Sequence, residues 1–198
     1  MHSIILASTS EIRARLLANA GIEFDAIGAD VDERAIEEPL IKANLLPEDI
    51  ASVLAEAKAL NVSEKFPGAT IIGADQILAF EGRRWTKPET MAEARSNLLD
   101  FRGKTHELHA AIVGARDGET IWRHVSTARL TMRDFTPEYL GRYLASVGDK
   151  VLTSVGAYQL EGEGVQLFER IEGDYFTILG LPLLPLLDFL RREGIIDG

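Results

Sequence analysis

Short apolar runs alternate along this chain with longer segments whose apolar residues recur every three or four positions. Residues 3–7 (Ser-Ile-Ile-Leu-Ala) are nearly all apolar and predict a short buried strand that ends at Ser8-Thr9-Ser10. From about 10 to 20, Ile12, Leu16, Leu17 and Ala20 share a helical face, and Gly21 stands where a helix stop belongs. Residues 24–27 predict a short strand, followed by the acidic stretch Asp30-Val31-Asp32-Glu33. No period is visible over 34–46, which reads as irregular chain. Pro47-Glu48-Asp49 then opens a helix with acids in its first turn, complementing the helix dipole. Its apolar face carries Ile50, Val53, Leu54, Ala57 and Leu60. A second apolar strand over 70–74 ends on Asp75-Gln76, and runs at 77–80 and 84–86 flank Glu81-Gly82-Arg83 as a hairpin.

The second half continues the mixture. A helix over about 89–101 buries Ala94, Leu98 and Phe101, and two long strands over 105–115 and 119–132 meet at Asp117-Gly118. Thr136-Pro137-Glu138 caps a helix that Gly148 ends. The glycine-rich segment 154–164 reads as a loop around a ligand, residues 165–171 and 175–178 as strands, and about 182–192 as a last helix. Hairpins among helix-linked strands predict an α/β fold with a mixed sheet flanked by helices, rather than an all-parallel one. With no repeat and no linker, the 198 residues read as a single domain over 1–198.

Composition narrows the function classes. The absence of cysteine rules out a disulfide scaffold, a thiolate zinc site and a cysteine nucleophile. No apolar run is long enough to span a bilayer, and no basic segment precedes an apolar one as in a signal peptide, so a cytoplasmic location is expected. The formal net charge of −10 argues against nucleic acid and anionic membranes as partners. A small anionic ligand remains open to it, because a local basic cluster dominates at short range.

Several residues could carry chemistry. Ser8, Ser10 and Arg13 lie at the start of a helix; they read either as a cap with solvent-facing arginine or as an anion site at the helix N-terminus. Asp75, after an apolar strand, is either a turn cap or a carboxylate poised over a water or a metal. Lys58 lies at the edge of an apolar helix face, able to snorkel or to reach a site. Gly103-Lys104-Thr105 lacks the earlier glycine of a phosphate-binding loop, because Leu98 stands there. His106 and His109 fall on opposite strand faces and read as no metal pair. Gly162-Glu163-Gly164 lacks the strand-to-helix setting of a dinucleotide fingerprint.

An ordered set of motifs resembles the Maf-like nucleoside triphosphate pyrophosphatases over nearly the whole chain. It comprises Leu6-Ala7-Ser8-Thr9-Ser10 with Arg13 and Leu16-Leu17, Gly73-Ala74-Asp75-Gln76, and Gly82 through Lys87-Pro88. It continues with Gly103-Lys104-Thr105-His106, Gly156-Ala157-Tyr158 with Glu161-Gly162, and Gly173-Asp174-Tyr175 before Gly180-Leu181-Pro182. The resemblance implies two lobes around a nucleotide-binding cleft, in the Maf/ITPase-like manner. It implies hydrolysis of the α–β phosphoanhydride of a nucleoside triphosphate, in a cytoplasmic homodimer. It makes Asp75 the base that activates water, and Glu33 with Asp75 the ligands of a divalent metal, Mg or Mn. Lys58 and Lys87 match basic residues of the family site, Lys87 among the catalytic group. Ser8, Ser10 and Arg13 match its triphosphate-holding motif, although Glu11 and Ile12 replace the family's proline and first arginine.

The resemblance also places base selection at Ile12, Gln76 and Glu161. Gln76 and Glu161 are similar to the subgroup that acts on 7-methyl-GTP. A carboxylate can accept from the two adjacent N–H groups of guanine, and N7 methylation adds positive charge to the ring. The bland alternative for Glu161 is a loop acid in water. Against the enzyme stand two other readings: a nucleotide-binding regulator of septum formation with weak or no turnover, and a hydrolase of other small phosphates.

Overall fold

The computed structural model describes residues 3–197. Strands β1 (Ile4–Ala7), β2 (Asp25–Ala26), β3 (Thr70–Phe80), β4 (Arg83–Trp85), β5 (Thr105–Arg116), β6 (Glu119–Met132) and β7 (Phe168–Glu172) form one sheet. Its order is β2-β1-β3-β5-β6-β7, with β4 paired to β3. β1 pairs in parallel with β2 and β3, while β3–β4 and β6–β7 are antiparallel, so the sheet is mixed as the hairpin signals predict. The helices are α1 (Glu11–Asn19), α2 (Glu33–Lys42), α3 (Pro47–Ser63), α4 (Met91–Phe101), α5 (Pro137–Val147), α6 (Tyr175–Ile178) and α7 (Leu183–Arg192).

The chain divides into two compact units. The first takes the chain up to Gln76, then His109–Ser126 and everything from Asp174 onward; the second takes Ile77–Leu108 and Thr127–Gly173. In the first, Leu6, Leu17, Leu54, Ile71, Ile72 and Ile112 are fully buried. In the second, Leu78, Leu98, Phe101, Leu108 and Leu130 are.

Four sequence expectations change. Residues 34–46 are not irregular, since α2 occupies Glu33–Lys42; Asp32 caps it by accepting from the Ala35 N–H at 3.0 Å, and Pro39 inside the helix hides its period. Residues 70–74 and 77–80 are one strand, because Asp75 and Gln76 find lateral partners and need not turn out to water. Residues 175–178 form a helical turn, not a strand, because the Asp174 carboxylate accepts from the Thr177 N–H at 3.0 Å. The strand expected from 165 starts at Phe168, after a 3-10 turn at Glu163–Leu167.

Candidate active site in the first unit

Asp75 lies inside β3, not at its end. Asp75 nonetheless lies past the end of its parallel neighbour, since the last pair between β1 and β3 is Ala7 with Gly73. Ligand sites in sheets of this kind form beyond the carboxyl ends of parallel strands. Gly73 and Asp75 share a face of β3, and that face looks at α3. A Cβ on Gly73 would come within 2.1 Å of the Ala55 carbonyl oxygen and 2.8 Å of the Ala59 Cβ. The missing side chain therefore lets α3 lie directly on the strand, with Ala55 and Ala59 at the contact and Lys58 beside them.

That approach brings Lys58 to Asp75. The Lys58 ammonium donates to Asp75 Oδ1 at 2.7 Å and pairs with Glu33 Oε1 at 3.0 Å. The lysine and aspartate side chains are 12% and 10% exposed, while Glu33, in the first turn of α2, is 51% exposed. Burial pushes the Asp75 carboxyl above its ordinary value, a rise that the neighbouring Lys58 and Arg13 charges oppose and the Glu33 charge adds to.

Arg13 is held differently. Its Nε donates to the Gly180 carbonyl at 2.8 Å, and its Nη1 donates to the Ala74 carbonyl at 2.9 Å and to Ser8 Oγ at 3.4 Å. Burial lowers its pKa, with Asp75 and Glu33 pulling the other way. Ser8 Oγ also accepts from the Ser10 N–H at 3.2 Å, and Ser10 caps α1 by accepting from the Arg13 N–H at 3.5 Å. The serines thus turn the chain sharply from β1 into α1 and aim the first turn of that helix past Asp75's end of the sheet. Ile12 is half-buried in the same turn.

Gln76 points to the other face of β3. Its Nε2 donates to the carbonyls of Thr177 at 2.9 Å and Ile178 at 3.0 Å. Sequence reasoning did not foresee these backbone partners of Arg13 and Gln76. Their signal is Gly180, whose φ of +85° suits glycine, and where a Cβ would stand 3.3 Å from Arg13 Nη2 and 3.5 Å from Gln76 Cδ.

Of the residues singled out by sequence, Ser8, Ser10, Ile12, Arg13, Glu33, Lys58, Asp75 and Gln76 belong to the first unit. Lys87, exposed after β4, and Glu161, exposed within the glycine-rich segment, belong to the second. His106 and His109 are both buried, each in a different unit.

The acids of this corner bear on a divalent metal. Among the described residues, no three or more His, Cys, Asp or Glu side chains gather around one point. Glu33 and Asp75 do converge on a single cation, the Lys58 ammonium. Magnesium needs only one or two carboxylates when water and substrate phosphates supply the rest, so this pair fits.

A family model described as Maf-like protein matches residues 3–193. The chain belongs to the Maf-like family. A 7-methyl-GTP pyrophosphatase of Brucella suis biovar 1 is 60% identical over 195 residues, covering 98% of each chain. One of Mesorhizobium japonicum, also named 7-methyl-GTP pyrophosphatase, is 57% identical over 100% of this chain and 99% of its own. A nucleoside triphosphate pyrophosphatase of Caulobacter vibrioides is 52% identical over 98% of this chain and 96% of its own. A crystal structure of a dITP/XTP pyrophosphatase from Mycobacterium abscessus covers 73% of this chain and 94% of its own at 15% identity, and its TM-score of 0.35 carries no argument. No helix among the described residues is long and apolar enough to cross a membrane.

Proposed function

We propose that this Maf-like protein is a hydrolase that splits the α–β phosphoanhydride of a nucleoside triphosphate into the nucleoside monophosphate and pyrophosphate. The observation that carries the reading is the buried Asp75 carboxylate, held by Lys58 next to Glu33 beyond the end of β1. A carboxylate held away from bulk water and raised in pKa has the basicity a general base needs. Asp75 takes a proton from water as the new phosphorus–oxygen bond forms and the α–β bridge breaks. Lys58 and the α1 N-terminus offset charge on the phosphate oxygens. Arg13, tied to two carbonyls, chiefly fixes the geometry of Ser8 and β3. Glu33 and Asp75 would hold a magnesium or manganese ion, which supplies polarisation of the phosphate oxygens when bound.

The nucleotide reading follows from relatives named 7-methyl-GTP pyrophosphatase together with Gln76 and Glu161. It takes 7-methyl-GTP or another modified nucleotide as the substrate. For Lys87 and Glu161 the proposed roles rest on the family resemblance; a single working domain rests on the length and the lack of a linker, a cytoplasmic location on the composition, and a homodimer on the family. Sedimentation and cell fractionation check the last two.

The deciding experiment measures pyrophosphate release with magnesium or manganese from GTP, 7-methyl-GTP, UTP, dTTP and 5-methyl-UTP. Preference for 7-methyl-GTP is expected. Preference for UTP or dTTP keeps the hydrolase and removes the base reading. Tight nucleotide binding without any release points instead to a regulatory binding module.

A further inference from the structure

The glycine-rich segment of the second unit contains a tight turn over 159–162, closed by the Gly162 N–H donating to the Gln159 carbonyl at 3.2 Å. Leu160 is buried and Glu161 exposed at its two central positions. The turn therefore carries one exposed acidic residue, Glu161, whose charge acts on the Tyr143 hydroxyl, on a base that is fixed on several sides. The Gln159 N–H donates to the Tyr143 hydroxyl of α5 at 3.3 Å, and its side-chain amide donates to the Lys150 carbonyl at 3.0 Å. Behind it, a Cβ on Gly164 would stand 2.4 Å from the Gln159 carbonyl oxygen, so the chain after the turn lies flat against it.

One residue before Gln159, Tyr158 is pinned more deeply. Its hydroxyl shares a 2.7 Å hydrogen bond with His106 Nε2 of β5, inside a cluster where Phe101 stacks on His106 and Phe168 meets Tyr158 edge-on. The Tyr158 ring also fills the space where a Gly156 side chain would be, 2.2 Å from the place of its Cβ. Between them Ala157 is buried with a φ of +56°, a left-handed conformation that residues other than glycine rarely adopt. Such strain persists only where the surroundings over-determine it, and it clusters at functional sites. A phenylalanine would serve a purely apolar core more cheaply than this buried His–Tyr pair, whose hydrogen bond fixes how deep the ring sits.

We infer that Tyr158, His106 and Tyr143 are positioning residues for base selection: they hold the 159–162 turn so that Glu161 meets a purine edge bearing two adjacent N–H donors. This deepens the nucleotide reading above and rests on it. A turn already held in place loses little backbone ordering entropy on binding, which favours a selective contact over an incidental one. None of the three residues touches the reacting phosphates in this account, so their effect falls on KM for one class of base.

The test assays pyrophosphate release from 7-methyl-GTP and UTP in the parent protein, Glu161→Gln, Tyr158→Phe and the double variant. Glu161→Gln is expected to lower the preference for 7-methyl-GTP by about tenfold, within the range that single pocket contacts supply. Tyr158→Phe is expected to lower it in the same direction by raising KM for 7-methyl-GTP, with kcat and the UTP kinetics little changed. Adding Tyr158→Phe to Glu161→Gln should cost nothing more, because the tyrosine acts through the carboxylate. A Tyr158→Phe protein that loses both substrates alike, or a fully additive double variant, overturns the positioning role alone. A Glu161→Gln protein with unchanged preference overturns the base reading itself, and the proposal with it. Should Tyr158→Phe fail to fold, Tyr143→Phe removes a single hydroxyl from the same turn and must show the same KM shift.

Discussion

In the first unit Asp75 rides on the eleven-residue strand β3 and is met by Lys58 from the seventeen-residue helix α3. In the second, Glu161 rides on a turn between two 3-10 segments, Gly148–Thr153 and Glu163–Leu167. The helix satisfies its own backbone groups and the strand pairs its groups with neighbouring strands, so a glycine contact and one ion pair suffice to bring the first acid into place. The turn has no ladder behind it and makes up for that with tyrosine hydroxyls, a glutamine side chain and glycines that admit no side chain. The acid proposed to react is placed by regular structure and charge. The acid proposed to select is placed by shape. The first arrangement should be sensitive to the charge itself and to volume under the helix, the second to single hydroxyls and single methyl groups.

The largest effect expected is from Asp75→Asn, which keeps the shape and removes the base. Pyrophosphate release should fall by about 10²–10⁴-fold, the range that general-base catalysis supplies, while the fold survives. Full activity in this variant, with an intact far-UV spectrum, would remove Asp75 from the chemistry. Next comes Gly73→Ala. Its methyl group meets the Ala55 carbonyl at 2.1 Å and must push α3 away. The expected cost is about 1–3 kcal/mol, read from the urea midpoint, together with a fall in turnover of every nucleotide as Lys58 leaves Asp75. An unchanged midpoint would mean the helix withdraws freely and the close approach matters little.

Gly164→Ala is the counterpart in the second unit, with its added methyl 2.4 Å from the Gln159 carbonyl. It should lower the preference for 7-methyl-GTP by a small factor and leave UTP turnover near the parent level. Equal loss on both nucleotides would erase the contrast between the two units. A further effect concerns pH. Burial lowers the His106 pKa from 6.5 to about 3. Below pH 6.5 the unfolded chain gains a proton that the folded one refuses, so this contribution to stability is whole above 6.5 and fades as pH falls towards 3. His106→Gln keeps a polar partner for Tyr158 and removes the titration. Its urea midpoint should therefore drop less than the parent's between about pH 7.5 and about pH 4.5. Parallel losses in the two proteins would assign the acid sensitivity elsewhere.

Much of this was legible in the sequence, and what escaped it has physical causes. The helix carrying Lys58 announced itself through Pro47 and its first-turn acids, and the β3–β4 hairpin through Glu81-Gly82, where both residues take positive φ. The face of α3 was read too broadly. Ala51, Ala55 and Ala59 are fully buried, while Val53 and Leu60 are only half-buried, because contact with Gly73 selects small residues over greasy ones. Asp75 looked like a strand end because a polar pair usually breaks a strand; only the partners from α3 and α6, distant in sequence, explain why this one continues. Helix α2 was hidden by Pro39, and α6 is too short for any period to reveal. Gln76 was singled out as a candidate, but its two carbonyl partners were not legible, since no side-chain pattern marks a backbone acceptor.

The first unit is assembled from three separate stretches of chain. Phe189 of α7 stacks on Trp122 of β6 at 4.7 Å and fills the space above Gly114 of β5. A chain made from its amino end therefore emerges with Asp75, Lys58 and Arg13 long before the helix that covers this sheet has been synthesised. Gly180, whose carbonyl anchors Arg13, arrives in the same late stretch. Until then the growing polypeptide has Trp122 without the ring that covers it and Arg13 without one of its two carbonyl acceptors. The corner formed by Asp75, Lys58 and Arg13 is therefore completed only once the stretch from Asp174 onward has been made.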